Sequence, residues 1–209
     1  MAAAAEGKDG QVAAKPRRPD GRGSSVEPTI HLGRLYYPVH TLGPGNRVGI
    51  WLAGCDKRCT GCISPELQSI HSGTEVEIRA LLNRVRQSCP DVSGYTISGG
   101  EPFLYPRELR NLVAEIHKTT DDIIVFTGYT LDQLREKQSE EIEEVLSLIS
   151  VLIDGPYRDA LNDGRGLKGS SNQTIFVFRH AERYGDLEKC GRGIQLVVDQ
   201  SRVMTIGIP

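Results

Sequence analysis

Three of the chain's five cysteines fall within one short run, Cys55-Asp56-Lys57-Arg58-Cys59-Thr60-Gly61-Cys62. The run follows an apolar segment, Val48-Gly49-Ile50-Trp51-Leu52. A continuous apolar stretch of that length reads as a buried strand, here one that delivers a ligand loop. Soft thiolates suit iron–sulfur clusters and zinc. A cubane cluster normally takes four cysteines, so a loop with three holds three corners and leaves one iron open to another ligand. The spacing alone leaves two other readings open: a zinc site completed by His71 or Cys89, and three unrelated thiols.

The bulk properties narrow the setting. At 209 residues the chain is long enough for one domain with a real core, plus tails. A net charge of −2 with 25% charged residues gives no sign of a nucleic-acid or membrane-surface partner. No apolar run approaches the ~20 residues of a membrane span. The start, Met1-Ala2-Ala3-Ala4-Ala5-Glu6-Gly7-Lys8, has no hydrophobic signal-peptide core, which predicts a cytoplasmic protein. In that reducing compartment, cysteines favour metal or redox chemistry over disulfides. Residues 1–28 carry almost no large apolar side chains and read as a disordered tail. The basic cluster Lys15-Pro16-Arg17-Arg18 reads as part of that solvated tail.

From about Ile30 the patterning alternates strand and helix. Leu35-Tyr36-Tyr37-Pro38-Val39 and the turn Gly43-Pro44-Gly45 lead into the strand ending at Leu52. After the cysteines, Thr74 and Glu77 predict a capping box for a helix carrying Val76, Ile78, Leu81, Leu82 and Val85, ended by Cys89-Pro90. Tyr95–Ser98 reads as a strand running into Gly99-Gly100-Glu101-Pro102. Pro106 opens a helix with Leu109, Leu112, Val113 and Ile116 inward. Ile123–Phe126 and Val151–Ile153 read as buried strands, separated by helix from Leu131 to Leu148 that breaks near Ser139. A glycine-rich loop then reaches Ser170-Ser171-Asn172-Gln173 and a strand over Thr174–Phe178.

Such alternation predicts an α/β fold with a parallel sheet and right-handed crossovers, whose ligand site lies beyond the carboxyl ends of the strands. Every unusual loop sits at such an end. Ile194–Val198 and Arg202–Ile206 flank a short loop and read as a C-terminal β-hairpin. The sequence does not show whether it extends the main sheet or covers an edge.

Gly99-Gly100 suits close approach of a backbone to a ligand, and Glu101 offers an acceptor to a cationic or amino group. Asp154 and the Ser170–Gln173 quartet offer further polar contacts. Cys89 and Cys190 are too few and too far apart for a second cluster and read as idle thiols, and His117 and His180 as ordinary surface residues.

Together the C-x3-C-x2-C cysteines and Gly99-Gly100-Glu101 resemble the radical S-adenosylmethionine superfamily. The likeness extends to Tyr36-Tyr37-Pro38-Val39, Gly43-Pro44-Gly45, Gly54-Cys55, Thr127-Gly128-Tyr129, Val151-Leu152-Ile153-Asp154-Gly155 and Gly169-Ser170-Ser171-Asn172-Gln173. In that order these are similar to the branch that activates glycyl-radical enzymes of the anaerobic ribonucleotide reductase kind. Many members carry an aromatic residue just before the third cysteine; here, as in that branch, it is Gly61.

The resemblance implies a partial parallel (β/α) barrel over residues 29–180, with residues 181–209 as a C-terminal hairpin extension. It implies a [4Fe–4S] cluster on Cys55, Cys59 and Cys62, and S-adenosylmethionine as cofactor. Gly99, Gly100 and Glu101 would then lie near the cofactor's amino end and Gly61 and Ile63 against its adenine, with Thr127, Asp154, Ser171 and Asn172 as further contacts. The implied partners are a large glycyl-radical enzyme and an electron donor of the flavodoxin or ferredoxin type. The competing functions are radical chemistry on a small molecule or peptide, with the hairpin shaping the site, and a non-catalytic iron–sulfur or zinc module.

Overall fold

A computed structural model describes residues 27–199 and 202–209. It places seven strands in one sheet, in the order β3-β1-β2-β4-β5-β6-β7. The middle four, β2 (Arg47–Leu52), β4 (Gly94–Gly99), β5 (Ile123–Phe126) and β6 (Val151–Asp154), are parallel. Antiparallel neighbours complete both edges: β1 (Thr29–Val39) and β3 (Thr74–Glu77) on one side, β7 (Thr174–Val177) on the other. The parallel expectation therefore holds for the centre of the sheet only. The expected tail lies outside the described residues except at Glu27 and Pro28, where the Pro28 carbonyl accepts the Ile78 N–H at 3.0 Å.

The crossovers supply α1 (Ile78–Ser88), α2 (Pro106–His117), α3 (Leu131–Glu136) and α4 (Glu140–Leu148). Their apolar stripes meet the outer face of the sheet, where Val48, Ile50 and Leu52 of β2 join Ile97, Val125 and Leu152 in the main core. The break between α3 and α4 falls where expected, with Ser139 Oγ accepting the Ile142 N–H at 3.3 Å. Among the described residues no helix is long and apolar enough to cross a membrane.

The capping box expected at Thr74 and Glu77 is absent. Residues 74–77 pair instead with β1, Thr29 opposite Glu77 and Leu32 opposite Thr74, and Glu77 makes no side-chain cap. The alternation in Thr-Glu-Val-Glu turns only Val76 inward, a period-2 pattern that suits the free edge of β1 better than a helical turn.

The inner face of the sheet is covered by the C-terminal segment. Here α5 (Ala181–Tyr184) precedes a separate two-stranded sheet of β8 (Ile194–Asp199) and β9 (Arg202–Gly207). Ile206 is buried with Val39, Leu42, Trp51 and Leu67. The Thr41 hydroxyl donates to the Ile206 carbonyl at 3.0 Å, and the Gln195 amide donates to the Pro38 carbonyl at 2.9 Å. The hairpin thus packs across a face of the main sheet and extends neither edge.

At the amino end of the parallel strands a buried cation ties four elements together. Arg47 is fully buried, and its guanidinium donates to Thr96 Oγ1 at 2.7 Å, Asp122 Oδ1 at 2.7 Å and the Tyr95 carbonyl at 2.6 Å. Longer bonds to the carbonyls of Pro44 (3.3 Å) and Asp122 (3.2 Å) occupy its remaining N–H groups. Asp122 also accepts from Tyr184 and Arg183, which anchors α5. Removing one partner of such a pair leaves a buried charge uncompensated, at a cost of about 3–5 kcal/mol. Asp122→Ala is therefore expected to lower the melting temperature by roughly 6–20 °C; a thermal scan showing parent stability would remove this network from the account.

Candidate functional site

The loops that follow β2, β4, β5 and β6 converge at the carboxyl ends of the strands, as the parallel pairing requires. They open onto a cavity of about 610 Å³ whose wall includes all three clustered cysteines and Gly99, Gly100 and Glu101. Thr127, Gly128 and Gly155 come from the next two loops, and β9 forms the opposite wall.

The end of β4 is joined to the cysteine loop by backbone alone. The Gly100 N–H donates to the Leu52 carbonyl and the Glu101 N–H to the Gly54 carbonyl, both at 2.8 Å. Gly54 N–H in turn donates to Leu67 at 2.8 Å, and Cys55 N–H to Gln68 at 3.0 Å. A Cβ on Gly100 would stand 2.1 Å from the Gly54 carbonyl oxygen. One on Gly99, where φ is +113°, would stand 2.3 Å from the Leu52 oxygen. The space these glycines free is filled by the protein's own backbone, whereas the sequence reading assigned it to a ligand.

Glu101 is buried, and its carboxylate is already bonded. Oε1 accepts the Phe103 N–H at 2.9 Å and the Thr127 hydroxyl at 2.8 Å. Oε2 accepts the Gly128 N–H at 2.7 Å. Burial raises the Glu101 pKa above the usual carboxylate range, while these donors and the Lys57 charge act against that rise. A carboxylate has about four acceptor sites, and these protein donors use three of them.

The cysteine loop is also held to the loop after β5. The Tyr129 hydroxyl donates to Asp56 Oδ2 at 2.5 Å, and Lys57 Nζ lies 3.0 Å from the centre of the Tyr129 ring. Burial, with the Asp56 acceptor, raises the pKa of this phenol. Within the loop, burial pushes the Cys55 thiol up, and the amides of Lys57 and Arg58 pull it down; the Lys57 N–H lies 3.4 Å from its sulfur.

The donor set fits a cluster better than a single ion. Three half-buried thiols line one cavity, yet among the described residues no three His, Cys, Asp or Glu side chains gather to hold one ion. A tetrahedral zinc with bonds of about 2.3 Å would draw its thiolates to about 3.8 Å of one another, whereas the corners of a cubane stand on separate irons. Cys89 closes α1 near the start of β4, the full length of that strand from the cysteine loop. It packs on the main core, and Cys190 on the inner one.

Of the other expected contacts, Gly61, Ile63 and Thr127 line the cavity, but Asp154, Ser171 and Asn172 do not. Asp154 instead accepts the N–H groups of Leu131 at 2.6 Å and Thr174 at 3.2 Å, capping α3 and tying in β7. Ser171 is exposed, and the Asn172 amide donates to the Pro156 carbonyl at 2.9 Å. Gln173, within the quartet but not singled out by sequence, reaches the wall and braces Gly155 and Gly169 at 2.7 and 2.6 Å. Met204 and Ile206 of β9 were also missed; nothing in a hairpin's local pattern says which surface it covers.

Because three protein donors converge on Glu101, this side chain supports the fold as well as the cavity. Glu101→Gln places an amide donor where the Gly128 N–H needs an acceptor, a loss of about 1–3 kcal/mol. The variant is expected to melt below the parent even without ligand. An unchanged melting temperature combined with weaker ligand binding would make Glu101 a ligand acceptor only.

Comparison with known proteins agrees with this geometry. Residues 41–176 match the family described as a 4Fe–4S single cluster domain. The anaerobic ribonucleoside-triphosphate reductase-activating protein of Escherichia coli (strain K12) is 32% identical over 154 residues, covering 69% of this chain and 97% of that protein. The protein of that name from Salmonella typhi is 34% identical over 157 residues, with the same coverage. That of enterobacteria phage T4 is 30% identical over 155 residues, covering 70% and 94%. The chain therefore belongs to the 4Fe–4S single-cluster family, in the radical S-adenosylmethionine branch that includes these activating proteins.

Proposed function

We propose that this chain is an activase that generates a glycyl radical on a large partner enzyme of the anaerobic ribonucleotide reductase kind. Cys55, Cys59 and Cys62 hold a [4Fe–4S] cluster, and the cavity beside them takes S-adenosylmethionine. When bound, the reduced cluster supplies the electron that cleaves the sulfonium C–S bond, giving methionine and a 5′-deoxyadenosyl radical.

The observation that carries this reading is that three thiols and the Gly99–Glu101 turn line one cavity. Glu101 Oε2 orients the amino group of the cofactor. Gly61 and Ile63 lie on the cavity wall beside Cys62, where they would pack against the adenine. Met204 and Ile206 close the opposite side with apolar surface and limit the water that reaches a reactive intermediate. Asp154 and Asn172 act on the cofactor only through the loops they brace, α3 and the Pro156 turn.

On this reading the sheet and its crossover helices form a partial (β/α) barrel over residues 29–180, and residues 181–209 are an extension laid across its inner side. The electron comes from a flavodoxin- or ferredoxin-type donor.

Anaerobic reconstitution is expected to load about four irons and four sulfides per chain. Alanine at any one of Cys55, Cys59 or Cys62 should abolish 5′-deoxyadenosine formation, while alanine at Cys89 or Cys190 should leave it intact. Tight zinc binding with no iron-dependent cleavage would overturn the assignment.

A further inference from the structure

The C-terminal hairpin has two unlike faces. Its pairing puts Ile194, Leu196 and Val198 on one face, opposite Gly207, Thr205 and Val203. The other face carries Gln195, Val197, Met204 and Ile206, and it is the one seated on β1, Leu42 and Trp51. Among the described residues, Ile194, Leu196, Val198 and Val203 belong to no apolar cluster. Their exposure runs from 52% at Ile194 to 73% at Val198.

Magnitudes limit what this face can serve. Four large apolar side chains so exposed present roughly 500 Å², near the top of the range for the largest patch on a monomer. A stable dimer draws about 800 Å² from each partner, so the face is too small to hold two copies together alone. The four side chains of this face, Ile194, Leu196, Val198 and Val203, are uncharged, so the face itself offers apolar contact and no charge pairing. The scale suits a transient contact with another protein's apolar surface.

Position identifies that protein. Val203 belongs both to the exposed face and to the wall of the cavity that holds the three cysteines, and it pairs with Val198 of the same face, so the patch borders the cavity. The hairpin also lies beyond residue 176, where the family match ends. A macromolecule that presents one reacting segment to the cavity must rest its body on this rim.

We propose that the outer face of the hairpin docks the protein substrate, through an apolar patch beside the segment that enters the cavity. This rests on the activase reading above. The face supplies affinity for the folded partner, and Ile194, Leu196 and Val198 lie outside the wall of the cofactor cavity.

The test uses the full-length reconstituted enzyme, a chemical reductant and the large glycyl-radical reductase of the same organism. Leu196→Glu and Leu196→Lys alter a side chain that is 66% exposed and outside the cavity wall, so both should melt as the parent does. Each is expected to raise the KM for the reductase about tenfold with kcat unchanged. The opposite charges separate loss of apolar contact from a gain or loss of charge pairing. Reductase-independent 5′-deoxyadenosine formation should stay at the parent level, as should the KM for a short peptide carrying only the reacting glycine segment. A parent-like KM for the reductase in both variants overturns the docking surface and leaves the activase reading standing. A parent dimer that both variants dissolve, seen by sedimentation, also overturns it, because the face would then join two copies. A parent that places no radical on the reductase overturns both readings.

Discussion

The absence of a side chain at Gly100 sets how the cysteine loop meets the end of β4. Because no Cβ intervenes, the end of β4 lies directly on Gly54, one residue before the first clustered cysteine. Two backbone hydrogen bonds then fix the height of the cysteine loop relative to β4. Glu101, the next residue, reaches across to the loop after β5. A chain of short contacts thus carries the regularity of the parallel sheet into three loops that have none of their own. Sites held by rigid elements in this way keep their geometry better than sites on free loops.

The opposite end of the sheet shows a complementary use of charge. Arg47 satisfies its donors among Thr96, Tyr95, Pro44 and Asp122, and Asp122 passes the connection to α5. That anchor precedes the hairpin in sequence, and the hairpin then crosses the inner face to reach the cavity. A charge cluster at the amino ends of the strands and an apolar wall toward their carboxyl ends therefore belong to one continuous segment. The buried ion network serves to place that segment, and the apolar surface on Ile206 holds it down.

Much of this was legible in the sequence. The strands ending at Leu52, Gly99, Phe126 and Asp154 announced themselves as apolar runs, and parallel pairing then forces their loops to meet. That is why the cysteines, Gly99–Glu101 and Thr127 line one cavity. What was not legible depended on contacts distant in sequence. Thr74–Glu77 looked like a helix start because the free edge of β1, some 45 residues away, cannot be seen locally. Asp154 has the composition of a ligand contact, yet its carboxylate faces Leu131 and Thr174. The hairpin pattern was clear, but its seat on Trp51 and Leu42 was not.

If the three-cysteine loop leaves one iron open to the cofactor, Mössbauer spectroscopy of the 57Fe-reconstituted enzyme will single that iron out. With S-adenosylmethionine added under anaerobic conditions, one iron of about four is expected to change its isomer shift while the rest keep thiolate values. If all irons behave alike with and without S-adenosylmethionine, the cluster is fully ligated by other groups, and the assignment of Cys55, Cys59 and Cys62 around an open site is wrong.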